Sequence, residues 1–399
     1  MLDGIVTWAE IDLDAIAENV QAFRRHVGQA VEIIAVVKAN AYGHGAVPVA
    51  QAALAAGATR LAVHRAIEGV ELRQAGIEAP ILVLGYTPPH GADMVVSHRL
   101  TPSLITLEFA QALSARAAAV GQCVPVHVKV DTGMSRYGVL PDQVLQLARA
   151  LRELEGLRLE GLFTHLATAD AADSSHARAQ LQTFDRVLAS LRQAGIEVPL
   201  VHAANSAATM RLGESHYNAV RPGIALYGLE PSDQWPPPFP LRPALTLKSC
   251  LSRLCDLPAG AAISYGRTFV APHPLRAALV PVGYGDGYHR VLSNRGSVLV
   301  RGQRAPILGR VCMDQFVVDV SAIPGAAQDD EVVLVGRQGQ AEIRAEEVAR
   351  WAETINYEVT TSLLPRVARV YLRGGQVVAT ACISSRAEVG PRVDTAERR

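Results

Sequence analysis

Between residues 33 and 222, eight short apolar runs alternate with stretches of helical periodicity: Ile33 to Val37, Leu61 to Val63, Ile81 to Leu84, Leu100 to Ile105, Val126 to Val130, Leu159 to Thr164, Leu200 to Ala203 and Ala219 to Pro222. A run that is apolar at nearly every residue, rather than at alternate ones, is what a strand covered on both faces requires. Eight βα units in about 230 residues match the size and rhythm of a closed (β/α)8 barrel better than an open sheet. The fold class is therefore α/β. A helix is predicted from Asp14, because Ile16, Val20 and Phe23 fall on one face behind an aspartate suited to capping.

The rhythm stops between Glu230 and Pro243, where Pro-Ser-Asp-Gln-Trp-Pro-Pro-Pro-Phe-Pro-Leu-Arg-Pro cannot hold a regular ladder and reads as a stiff connector. Beyond it come short β-type segments, Ala278 to Val282, Ser297 to Val300, Phe316 to Val320 and Glu331 to Val335, separated by Gly, Pro and Asp turns. One helix, from Ala345 to Thr354, interrupts them. The reading is a barrel over 1–235, a mostly β domain over 236–385, and a frayed tail over 386–399 that is rich in Arg and Glu without periodicity.

A chain of 399 residues that is 49% hydrophobic has material for two cores. Its 38 basic and 38 acidic side chains balance, which points away from nucleic acid and from a basic membrane anchor. The five cysteines lack the paired short spacings of a zinc site and read as reduced thiols, so no metal is expected. Neither a secretory signal nor a spanning helix is visible, and the expected location is the cytoplasm. The expected ligand is a small molecule.

Chemistry-bearing residues gather at the ends of the apolar runs. Lys38 follows the first, within Ala35-Val36-Val37-Lys38-Ala39-Asn40-Ala41-Tyr42-Gly43-His44-Gly45. In a barrel this places an amine at the rim that carries active sites, where a desolvated lysine can form a Schiff base with a carbonyl. The plain alternative is a solvated lysine before a connecting turn. Lys129 lies on the fifth run with Arg136 past its end, which could be a core lysine paired with Asp131 and a surface arginine. His165 ends the sixth run and His202-Ala203-Ala204-Asn205-Ser206 the seventh. Single histidines are usually core residues, but two at successive strand ends suit an active-site rim. Arg221-Pro222-Gly223-Ile224 closes the eighth run; glycine admits a phosphate close to the backbone, and barrels commonly bind phosphate after strands seven and eight. In the second domain, Ser264 to Thr268, Gly283 to Gly287, Cys312 to Gln315 and Asn356 to Glu358 put tyrosines beside glycines, singly no more than turn residues.

Taken together, these stretches resemble one family. The eleven residues around Lys38 resemble the pyridoxal-phosphate attachment motif of alanine racemases, and the similarity runs from about Trp8 to Cys382. The resemblance implies a homodimer with shared active sites that interconverts L- and D-alanine with pyridoxal 5'-phosphate, Lys38 holding the cofactor and serving one face of the substrate. It implies that Tyr265 of the partner subunit serves the other face, that Arg136 orients cofactor and substrate carboxylate, and that a lysine like Lys129 is carbamylated to brace that arginine. It further implies that His165 stacks on the cofactor ring, that Arg221 meets the ring nitrogen, and that Tyr42, Asn205, Ser206, Gly223, Ile224 and Tyr357 complete the cofactor site. Tyr284, Met313 and Asp314 would line the substrate entrance. Three rivals are a racemase of broader range that includes serine, a decarboxylase resembling ornithine decarboxylase, and a non-catalytic cofactor carrier. The first stays open. The second conflicts with Arg221, because those enzymes use an acid there, and the third leaves the second domain without a role.

Overall fold

The computed structural model describes residues 4–383; the expected tail at 386–399 lies outside them. All eight apolar runs are strands. Glu32–Val36, Arg60–Val63, Ile81–Val83, Thr101–Leu104, Val124–Lys129, Leu157–Phe163, Leu200–His202 and Ala219–Val220 pair in sequence order, and the last pairs with the first to close a parallel barrel. Ile33, Leu61, Ile81, Val126, Leu162 and Val220 are fully buried within it. We refer to these as the first to eighth barrel strands.

The helix Leu13–Val27 buries Ile16, Val20 and Phe23 completely. Its cap is Asp12 rather than Asp14: the Asp12 carboxylate accepts from the backbone N–H of Asp14 and Ala15, at 2.9 and 3.1 Å. Asp14 sits in the first turn, where a negative charge suits the positive end of the helix.

The chain divides into two compact units. One is Asp12–Ala244, and the other joins the residues up to Ile11 to those from Leu245 onward. This differs from a division at 235 and 236 in two ways, each with a physical cause. The connector is packed on the barrel unit: Phe239 meets Phe23 edge-on at 5.2 Å, Trp235 donates to the carbonyl of Asp170 at 2.9 Å, and Arg242 pairs with Asp12 and Glu18, each at 2.6 Å. The N-terminal strand Thr7–Asp12 pairs antiparallel with Leu245–Cys250, so the first residues belong to the second unit.

That second unit is mostly β. Its main sheet has 11 strands among the described residues, including Leu275–Val280, Ser297–Val300, Phe316–Asp319 and Glu331–Gln338 where strands were expected. The expected helix is present at Ala345–Ala352, followed by a second at Asn356–Thr361. No helix of the described residues is long and apolar enough to cross a membrane.

Candidate active site

Lys38 stands at the carboxyl end of the first barrel strand. The four residues after it, Ala39, Asn40, Ala41 and Tyr42, have φ of 52, 53, 53 and 52°, one left-handed turn made without glycine. Each L-residue held this way costs roughly 1–2 kcal/mol, so the turn exists only because its surroundings impose it. Glu68 accepts from the N–H of Ala39 at 2.6 Å with one oxygen and from those of His64 and Arg65 at 2.8 Å with the other. Asn40 Oδ1 accepts from Ala46 N–H at 2.9 Å, and His44 Nδ1 donates to the carbonyls of Ala41 and Tyr42 at 3.1 and 3.0 Å. Below the turn the Tyr42 and His44 rings pack on Tyr227, with centroids 4.9 and 4.6 Å away, and Tyr227 Oη donates to the carbonyl of Val36 at 2.8 Å. The Lys38 amine projects 5.9 Å from the Tyr42 ring centre. Burial lowers its pKa, the charge of Arg136 lowers it further, and Glu68 opposes both. A larger neutral fraction makes the amine a better nucleophile.

Lys129, at the end of the fifth strand, is 7% exposed, with its Nζ 4.8 Å from the Tyr137 ring and 5.7 Å from that of Phe163. Burial, with Arg136 and Arg221 nearby, holds its pKa down to about 8. Asp131 is committed to the following loop: it accepts from the N–H of Gly133, Met134 and Ser135 at 3.0 Å and of Arg136 at 3.1 Å. The carboxylate therefore shapes the segment that ends in Arg136.

Arg221 is 3% exposed. Its Nη2 donates to the carbonyls of Thr164 and Ala203 at 2.7 and 3.0 Å, and its Nη1 donates to His202 Nδ1 at 2.6 Å. His165 Nδ1 lies 3.4 Å from the same Nη2. Burial brings the arginine down to about 9, which leaves it cationic at neutral pH. Burial and then Arg221 keep His165 well below the ordinary histidine range, so it is neutral. Asn205 Oδ1 accepts from Ala208 N–H at 3.0 Å, and Ser206 Oγ accepts from Gly223 N–H at 2.8 Å and from Ala225 N–H at 3.4 Å. A Cβ on Gly223 would come within 2.5 Å of Tyr42 Oη. The barrel unit thus sets Lys38 and Tyr42 past the end of the first strand and brings His165, past the sixth, against Arg221, past the eighth, with Ser206 bonded to the Gly223–Ile224 turn.

In the second unit, the turn Tyr284–Asp286 is clamped to Cys312 and Met313, whose carbonyls accept from Tyr284 N–H at 3.0 Å and Gly285 N–H at 2.8 Å. Arg366 ties Asp286 to Asp314 at 2.6 and 2.8 Å. Ser264 Oγ, beside Tyr265, donates to the carbonyl of Arg310 at 2.7 Å and touches Cys312 Sγ at 3.3 Å. Tyr284, Met313 and Asp314 are therefore neighbours, and Tyr265 is linked to them through Ser264. Tyr265 is 74% exposed. Tyr357 lies in the helix Asn356–Thr361. Glu68, His127, Glu160 and Arg366 were not read from the sequence as site residues. Glu68, three residues after Arg65, opens a helix like any N-terminal acid, and only the left-handed turn reveals what it holds.

Residues 11–231 match the family described as alanine racemase, N-terminal domain, and residues 244–371 match its C-terminal domain. The alanine racemase of Desulfosudis oleivorans is 47% identical over 383 residues, covering 94% of this chain and 98% of its own. The chain belongs to the alanine racemase family. The crystal structure of alanine racemase from Bacillus anthracis with bound L-Ala-P has a TM-score of 0.91 at 40% identity, covering 96% of this chain and 98% of its own. A histidine racemase from Leuconostoc mesenteroides has a TM-score of 0.86 at 29% identity, covering 93% and 99%. Alanine racemases are isomerases that depend on pyridoxal phosphate. The residues here fit that group: an amine of lowered pKa for an aldehyde, a donor-only arginine for a ring nitrogen, and a cradle of Tyr42, Ser206 and Gly223 in which a Cβ would collide.

Proposed function

We propose that this chain racemises alanine with two protein groups on opposite faces of the substrate, Lys38 from one subunit and Tyr265 from its partner. The observation that carries the reading is Lys38 itself, an amine of lowered pKa at the end of the first barrel strand, on a turn too strained to persist without purpose.

Inverting a carbon centre requires one base to take the proton and a different acid to return it on the far side. Bound pyridoxal phosphate would supply the electron sink that makes the α-proton removable. Lys38 Nζ would hold the cofactor until substrate displaces it and would then move a proton at one face. Tyr265 Oη would move it at the other. Its 74% exposure supports a side chain presented to a second subunit, and a homodimer with shared sites is part of the proposal. Tyr42, Ser206, Gly223, Ile224 and Tyr357 would hold the phosphate, with Asn205 capping the helix that carries Ser206. His165 would lie on the ring. Arg221 would donate to the ring nitrogen without handing over its proton, since guanidinium is a poor acid, and this restrains side reactions. Arg136 would orient the substrate carboxylate, braced by Lys129, whose pKa of about 8 supports the neutral amine that carbamylation needs. Tyr284, Met313 and Asp314 would line the entrance.

Production of D-alanine for peptidoglycan in the cytoplasm is the proposed role. A broader substrate range is the second reading, favoured by the histidine racemase that shares this architecture. Chiral chromatography of L-alanine, L-serine and L-histidine incubated with the protein and pyridoxal phosphate tests both. Alanine should approach a racemic mixture fastest; alanine that stays L would overturn the proposal.

A further inference from the structure

Barrel interiors are normally filled by layers of branched apolar side chains. Here a polar line runs through one. Arg60, at the start of the second strand, donates to Glu160 Oε2 at 3.0 Å. Glu160 Oε2 lies 3.1 Å from His127 Nε2, His127 Nδ1 lies 2.9 Å from His202 Nε2, and His202 Nδ1 lies 2.6 Å from Arg221 Nη1. His127 and His202 are 1% and 0% exposed. Their strands are the fifth and the seventh, and Glu160 lies on the sixth between them.

The proton positions along this line follow from its two ends. A guanidinium can only donate, so His202 Nδ1 accepts and its proton sits on Nε2. That proton faces His127 Nδ1, which must accept, so the His127 proton is also on Nε2 and is donated to Glu160. Neither imidazole has a second choice while Arg221 is in place. A doubly protonated His202 would set N–H against N–H, and burial with the adjacent Arg221 already disfavours it. The line is fully satisfied and points one way, from the cation at the barrel mouth to the carboxylate.

We propose that His127 and Glu160 are positioning residues for racemisation: acting through His202, they hold its ring where Nδ1 accepts from Arg221, and so keep the guanidinium oriented at the barrel mouth. The proposal rests on the reading that Arg221 serves the cofactor ring. Three of the five guanidinium N–H groups are occupied by His202, Thr164 and Ala203. The two carbonyls hold one edge, so the acceptor at His202 sets the rotation of the other. Without His127, His202 Nε2–H is buried with no acceptor in the line, so the ring loses one of the two contacts that hold it, and its Nδ1 is free to swing away from Arg221.

Nitrogen-15 NMR of the histidine-labelled protein, before and after addition of pyridoxal phosphate, tests the tautomers directly and independently of any activity. Both rings should give an acceptor-type Nδ1 and a protonated Nε2 at neutral pH. His127→Leu should leave the His202 proton on Nε2 but move both of its nitrogen signals as the Nε2–H loses its acceptor and the Arg221 bond loosens, alter the absorption spectrum of the bound cofactor, and lower kcat about tenfold or more with KM for alanine little changed. Glu160→Gln, which retains an acceptor, should keep the tautomers and restore most of the rate relative to Glu160→Leu. An Nδ1-protonated or doubly protonated ring in the unmodified protein would overturn the proposal, as would a His127→Leu protein with unchanged spectrum and kcat. If the parent protein does not racemise alanine while the tautomers are as assigned, it is the proposed function that fails.

Discussion

Tyr42 Oη occupies the space that a side chain on Gly223 would need, since a Cβ there would lie 2.5 Å from the hydroxyl oxygen. The glycine also donates its N–H to Ser206 at 2.8 Å. Two turns whose residues lie 181 positions apart are thus fitted to one another at the proposed phosphate cradle. Gly223→Ala should push Tyr42 aside and weaken pyridoxal phosphate binding by about tenfold, because a single methyl overpacks a tight site by roughly 1–3 kcal/mol. Titrating the apoprotein with the cofactor and following its absorbance measures this.

Lys38→Ala should abolish racemisation in both directions. Tyr265→Phe should act unequally, leaving exchange of the α-proton with solvent faster from the enantiomer that Lys38 handles. Deuterium incorporation into L- and D-alanine, measured separately, distinguishes the two, and equal loss with Tyr265→Phe would count against two bases.

If Tyr265 acts in the partner's site, mixing the two inactive variants restores function. Half of randomly reassembled dimers would pair Lys38→Ala with Tyr265→Phe, and each such dimer has one intact site, so about a quarter of the parent activity should return. No recovery after proven subunit exchange would place both residues in one chain.

Glu160 is held down to about 2, first by its hydrogen bond with His127 and then by Arg60. A carboxylate whose folded pKa is depressed contributes stability that is fully present above its usual value of 4.5 and is lost as the pH falls towards 2. Glu160→Gln should cost about 3 kcal/mol at neutral pH, as expected for one partner taken from a buried ionic cluster. The gap between parent and variant should narrow steadily below pH 4.5 in urea unfolding. A gap that is constant with pH would show that the carboxylate's charge contributes nothing.

The barrel was legible because eight short, mostly apolar segments recur between helical stretches, a rhythm that survives errors of a few residues at each end. What the sequence left open has the same cause in each case: a partner distant in the chain. Thr7–Asp12 cannot be assigned to the second unit without Leu245–Cys250 beside it. The Pro-rich connector marks a break in regular structure, but Phe239 against Phe23 decides which core it joins. Lys38, Arg221 and Ser206 could be named because they follow strands, where side chains reach the rim. His127 and Glu160 sit within strands, where a polar residue reads as an interruption of the apolar run, and their meaning appears only when neighbouring strands bring them into line.

The left-handed turn after Lys38 has a consequence for chirality in the backbone itself. Dihedral angles near those of Ala39 and Ala41, φ 52 and ψ 50° and φ 53 and ψ 53°, are the ones a D-residue adopts at rest, because mirror symmetry reverses the clash between Cβ and carbonyl. Semisynthesis that placed D-alanine at 39 and 41 would release the steric strain without adding or removing an atom. A protein so made, more stable as the apoprotein yet slower once loaded with pyridoxal phosphate, would show that the tension in this turn serves the reaction; one equally fast would show it to be a legacy of building the segment from L-residues alone.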